Sequence, residues 1–209
     1  MSNKTQTNEI TDDNKQGTLS EEQWNELIHV VCRDGVTALK THYEQVTGRA
    51  VIQETYGPVF IFSVKDDSND EYECGFLLQE LIKRFQSDED PSRWMASFFV
   101  ELMRTKGGKA LPKPPASEEE YKAMLDHQII PHCIATIEEE FAPEQVHAGL
   151  EWHEEHGPVF EAGFSSIVDG NNVCAFKIDL LLIHFLLNRD PAELALHGLY
   201  KIREEHGME

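Results

Sequence analysis

Basic residues are scarce in this chain: 18 Lys and Arg stand against 38 Asp and Glu, for a formal net charge of −20. Binding a phosphate backbone calls for clustered Lys and Arg, so this balance argues against nucleic acid as a partner. Long apolar runs are missing too. No stretch approaches the roughly eighteen consecutive apolar residues of a membrane-spanning helix, and residues 1–19 lack the apolar core of a signal peptide. The expectation is a cytoplasmic protein that does not engage a membrane. Cysteine is sparse, and Cys32, Cys74, Cys133 and Cys174 contain no CxxC pair. Set among apolar neighbours, they read as reduced thiols packed as small hydrophobes. Catalytic signatures are absent as well. The chain has no P-loop and no dinucleotide fingerprint, and Gly163-Phe164-Ser165-Ser166-Ile167 lacks the second glycine of a nucleophile elbow. The motifs give no ground for expecting an enzyme.

The main positive feature is a repeat. Gly57-Pro58-Val59-Phe60 returns as Gly157-Pro158-Val159-Phe160, and at the same offset Cys74, Phe76, Leu81, Phe85 and Asp90-Pro91 meet Cys174, Phe176, Leu181, Phe185 and Asp190-Pro191. Ten of the 35 positions paired from 57 to 91 are identical, where chance would give about two. The start Ser20-Glu21-Glu22-Gln23-Trp24 resembles Ser117-Glu118-Glu119-Glu120-Tyr121 at an offset of 97. The division that follows is a polar, disordered tail over 1–19, a first unit over 20–104, a linker over 105–116 and a second unit over 117–209. The linker runs from glycines to prolines and carries Lys106, Lys109 and Lys113. It reads either as a flexible connection or as an ordered strap that brings its lysines to acidic surface.

Within a unit, Ser20 is placed to cap a helix with Trp24, Leu27, Ile28, Val31 and Leu39 at helical spacing, interrupted near Gly35. In the second unit Pro131 should kink or restart the matching helix. Val59 to Val64 and Tyr72 to Phe76, separated by an acidic turn, spell a hairpin, and Asp169-Gly170-Asn171-Asn172 supplies the second unit's turn. Gly-Pro is read as a strand entry, with proline starting an outer strand. The apolar runs Leu77 to Phe85 and Lys177 to Leu187 fit buried helices, and each Asp-Pro fits the cap and first residue of a final helix. The predicted fold class is α+β: a duplicated unit of helix, β-hairpin, helix, helix, its copies related by a pseudo-twofold, with both hairpins in one antiparallel sheet. The two units are expected to form one compact body.

Function is sought where the copies differ. Eight of ten histidines lie in the second half, and residues 111–209 carry 19 acidic against 6 basic residues, net −13, compared with net −7 for residues 1–110. His153 and His156, three apart, would share a face if helical and could hold a divalent metal, zinc or iron, with His147 or Glu154. The spacing is one short of the HExxH pattern. The leading expectation is a regulator, inhibitor or immunity-type protein whose acidic half docks on a basic protein, with a homo-oligomer also open. The rival is an enzyme or a ligand- or metal-binding protein with a histidine-lined site in the second unit only.

Overall fold

The structure, a computed structural model, describes residues 20–208 apart from 54, 55, 88, 143 and 167–171. The expected 1–19 tail and the 169–172 turn, except for Asn172, lie outside the described residues. Helix α1 (Glu21–Leu39) opens with a capping box, in which the Ser20 hydroxyl accepts from the Gln23 N–H at 3.2 Å and the Gln23 side chain accepts from the Ser20 N–H at 2.9 Å. It runs unbroken through Gly35, contrary to the expected interruption. A Cβ there would lie 2.4 Å from Cζ of Phe62, so glycine serves the close approach of that ring rather than a break. Strands β1 (Val46–Gln53), β2 (Gly57–Lys65) and β3 (Glu71–Leu77) form an antiparallel sheet in that order. Helices α2 (Leu78–Gln86) and α3 (Pro91–Thr105) follow. Asp90 caps α3 by accepting from the Ser92 N–H at 2.9 Å, with Pro91 in the first turn where no N–H is needed.

The second half repeats this order. Helix α4 (Glu118–Met124) passes through a wider π-turn (Leu125–Ile129) into α5 (Ile130–Glu140), which begins just ahead of Pro131. The proline thus restarts the helix, and the extra residue in the preceding turn accommodates its missing N–H. Strands β4 (Val146–His153), β5 (Gly157–Phe164) and β6 (Val173–Lys177) lead to α6 (Ile178–Leu186) and α7 (Glu193–Glu205). Strand register coincides in the two halves at an offset of 100: Gln53 pairs with Gly57 as His153 pairs with Gly157, and Val59 pairs with Leu77 as Val159 pairs with Lys177. Gly57 and Gly157 enter their strands at φ +79° and +71°, a conformation that favours glycine. The strands they enter are central, not outer; each proline is tolerated because it stands at the strand's start.

Two further expectations are corrected. Each half has its own three-stranded sheet rather than a share of one, because β1 and β4 complete the hairpins locally. Nor do the halves meet as twofold mates. Each sheet turns one face to its own core: Phe60, Phe62 and Val64 in the first half, Phe160, Ala162 and Phe164 in the second. The opposite face of the first sheet, through Val59 and Ile61, packs against Ile183 of α6 and Leu187 just past its end. Helix α6 buries Leu181, Leu182 and Leu186 in the second core at the same time, so it is apolar nearly all round, as a helix between two cores must be. Helix α2, its counterpart, packs on α1, α3, β2 and β3 of its own half and reaches the other half through Glu80, and at the positions matching Ile183 and Leu187 it has exposed Lys83 and, just past its end, Ser87. The contact is therefore head-to-tail.

The linker lies as a strap along β3. The Gly108 carbonyl accepts from the Glu73 N–H at 2.8 Å, Lys109 pairs with Asp70 at 2.9 Å, and the Asn188 amide donates to the carbonyls of Glu73, Gly108 and Ala110 at 2.9, 3.3 and 3.0 Å. Cys32, Cys74, Cys133 and Cys174 stand unpaired. Among the described residues no helix is long and apolar enough to cross a membrane.

Candidate functional site

The structure places the histidine candidates on β4 and the hairpin turn, at the sheet face remote from the second core. Strand alternation puts His147, Gly149, Glu151 and His153 of β4 on that face, beside Val159, Glu161 and Gly163 of β5 and Val173, Ala175 and Lys177 of β6. His153 ends a strand and His156 lies in the three-residue turn before Gly157, so the two do not share a helical face. The turn nevertheless brings their rings to 6.4 Å between centroids.

Glu161 organises the face. It pairs with Gly149, one alternation step from His147 and two from His153 on the other side. Its two carboxylate oxygens reach both rings, at 3.9 Å from Nε2 of His147 and 3.5 Å from Nε2 of His153. The imidazoles flank the carboxylate in a row rather than converging on one point. Among the described residues no group of three His, Cys, Asp or Glu side chains is placed to hold a metal ion. Beside the row, a Cβ added at Gly149 would meet nothing within 4 Å, so the face is open above this part of the edge strand.

The matching face of the first sheet explains this openness. There Val51, Ile61 and Leu77 surround the α6 contact; at the same register the second sheet has Glu151, Glu161 and Lys177. Three apolar residues of one sheet correspond to charged residues of the other, and burying such charges unpaired beneath a helix would be costly. Charge at these positions weighs against burial beneath a further helix.

A second polar cluster lies buried at the seam between the halves. The Arg189 side chain is 4 % exposed and donates to Glu80 Oε2 at 2.6 Å, with its guanidinium carbon 4.7 Å from the Phe98 ring centre and 5.5 Å from that of Trp94. Glu193 approaches the same guanidinium at 3.6 Å, and burial raises its carboxyl pKa. Beside them His184 is sealed in, 3.9 Å from Glu80, and burial followed by the Arg189 charge pushes its pKa down to about 4. Burial pushes the Asp190 carboxyl up, but hydrogen bonds from His132, at 2.8 Å, and from the Ala192 N–H outweigh it and hold Asp190 below its usual value; the same bond raises the His132 pKa. Sequence reasoning did not assemble Glu80, Arg189 and Glu193. The available signal is charge at aligned positions: glutamate at 80 where the other copy has Leu180, and arginine at 189 where it has Glu89.

His184 makes stability sensitive to acid. Its folded pKa of about 4 lies below the ordinary 6.5, so the unfolded chain takes up the proton first. Its contribution is complete above about pH 6.5 and is lost as the pH falls toward 4. Glu80, Arg189 and Asp190 face the ring, and the raised pKa values of Glu193 and His132 act with opposite sign. The comparison with a variant isolates the one group. Between pH 7 and 5, wild type should lose about 2 kcal/mol more stability than His184→Leu, as read by urea denaturation at each pH; parallel losses would refute this.

No protein-family model matches the chain, and a search of curated proteins finds none significantly similar to it.

Proposed function

We propose that this chain is a non-enzymatic interaction protein that docks on a basic protein through the open face of its second sheet, acting in the cytoplasm as a regulator, inhibitor or immunity-type protein. The observation that supports the reading is the paired use of one surface. In the first half this sheet face already seats a helix; in the second it carries exposed Glu151 and half-buried Glu161, with Glu154 and Glu155 in the adjoining turn. Carboxylates on a docking face favour a cationic partner and speed its encounter. The net −13 of residues 111–209 supplies a field of the same sign.

A flexible oligolysine peptide is a suitable probe. Binding by calorimetry should weaken at least tenfold on raising salt from about 50 to 500 mM, and Glu151→Lys with Glu161→Lys should abolish it. Glu21→Lys with Glu22→Lys, on α1, should leave it largely intact. Equal loss in both double variants would point to net charge alone and defeat the assignment to this face. The rival reading, a ligand or divalent-metal site built on His147, His153 and His156, is favoured by one observation, the contact of Glu161 with two imidazoles. Stoichiometric zinc retained by tag-free protein, and lost in His147→Ala with His153→Ala, would select it instead.

A further inference from the structure

Docking through this face leaves open what kind of partner fits it, and the first half of the molecule contains a template. Helix α6 lies over the central strand of the first sheet, with the residue just past its end on the third strand and its first turn beside a cavity bordered by the first. Asp179 shares a cavity with Ile52 and Gln53 at the end of β1. One turn later Ile183 packs with Val59 and Ile61 of β2. A turn beyond, Leu187 reaches β3, where Gly75 lies so close that a Cβ would stand 2.5 Å from a Leu187 methyl, and where the Gly75 N–H donates to the Leu187 carbonyl at 2.9 Å. Spacing of four keeps these positions on one side of the helix.

The coincidence of register carries that path onto the second sheet. A helix laid along the same line would place its first position over the end of β4, at His153 and neighbouring Glu151, the counterparts of Gln53 and Val51. The second would fall over β5, at Val159 and Glu161. The third would fall over β6, at Ala175 and Lys177. Of the apolar residues around the template helix, Val51, Ile61 and Leu77 correspond to Glu151, Glu161 and Lys177, while Val59 corresponds to Val159, so the charges are negative over the first two strands and positive over the third. The open space at Gly149 leaves room for a long side chain to reach Glu161.

Resting on the reading that a basic protein docks here, we propose that the partner presents an amphipathic helix with Lys or Arg at positions i and i+4 and Asp or Glu at i+8, laid across the second sheet as α6 is laid across the first. Arginine suits the first two positions best, because its planar fork can meet a carboxylate with two parallel hydrogen bonds. A second copy of this chain is a poor occupant. Its α6 is engaged within its own seam, its α2 offers only Lys83 in the corresponding row before ending at Ser87, and two chains of net −20 repel.

The test uses the full chain and three stapled helical peptides: Arg, Arg and Glu at i, i+4 and i+8; the same composition with the three charges moved off that row; and Arg, Glu, Glu. Calorimetry at low salt should find the first peptide bound at least tenfold more tightly than the second. Glu161→Lys should weaken the first at least tenfold and bind the third better than wild type does. Equal binding of the first two peptides would overturn the helix proposal while leaving the basic-partner reading in place. Absence of binding by either peptide, together with no oligolysine binding, would overturn both. Self-association in sedimentation that is broken by Lys83→Glu and by Glu161→Lys, and restored when they are combined, would assign the face to a second copy and overturn the proposal.

Discussion

Arg189→Ala should cost the chain about 3 kcal/mol or more, a large share of the stability of an ordinary domain. The guanidinium is the cation of a buried group that includes Glu80 at 2.6 Å and Glu193 at 3.6 Å. Deleting it leaves two carboxylates near one another without a countercharge, and removal of one partner from a buried ion pair typically costs about 3–5 kcal/mol. The Glu80 side chain is 27 % exposed, which draws the expected value to the low end of that range. Lost stacking on Phe98 and Trp94 acts in the same direction. Because Glu80 belongs to the first half and Arg189 to the second, the deficit should fall on the seam. Calorimetry should show one unfolding transition for wild type and a broadened or split one for the variant; a variant that melts as sharply as wild type with an unchanged midpoint would refute the account.

The second large effect concerns Gly75 and Leu187. Leu187 is 1 % exposed, and Leu187→Ala should cost about 2–5 kcal/mol through lost burial and the cavity left behind. Gly75→Ala should cost about 1–3 kcal/mol, because its Cβ would press on the Leu187 side chain, 2.5 Å from a methyl and 3.2 Å from Cβ. Each substitution relieves the other's fault: the alanine methyl occupies space that the shortened Leu187 vacates. The double variant should therefore be more stable than the sum of the two costs predicts, by at least about 1 kcal/mol, in a denaturant cycle. Strict additivity would mean that the two residues do not meet as described.

Local rules carried the sequence reading furthest where chemistry is local. The Ser20 and Asp90 caps, the strand-entry glycines and the β2–β3 hairpin follow from residue types that satisfy their own backbone or tolerate positive φ. Strands β1 and β4 escaped notice because they are edge strands exposed over most of their length. Val46-Thr47-Gly48-Arg49 and Val146-His147-Ala148-Gly149 offer little of the apolar alternation that marks a half-buried strand. That omission also misplaced the histidines, since a segment not recognised as strand left His153 and His156 to be judged by helical spacing. The seam was partly visible. Ile183 and Leu187 replace Lys83 and Ser87 in the aligned copy, which marks α6 as the helix with a second face to bury. What sequence could not supply is the surface that receives it, because Val51, Ile61 and Leu77 look like ordinary strand residues until the register is known.

The head-to-tail seam also bears on growth. A contact made between unlike surfaces has no built-in end: a third unit could sit on the second as the second sits on the first, and chains could add to chains as a filament. In this molecule both surfaces carry polar or charged residues. The sheet face that would accept another unit carries Glu151, Glu161 and Lys177, and the helix that would be offered carries Lys83 and Ser87. The exposed charges oppose such growth at both surfaces, and the triple substitution Glu151→Val, Glu161→Ile, Lys177→Leu would leave one of them adhesive.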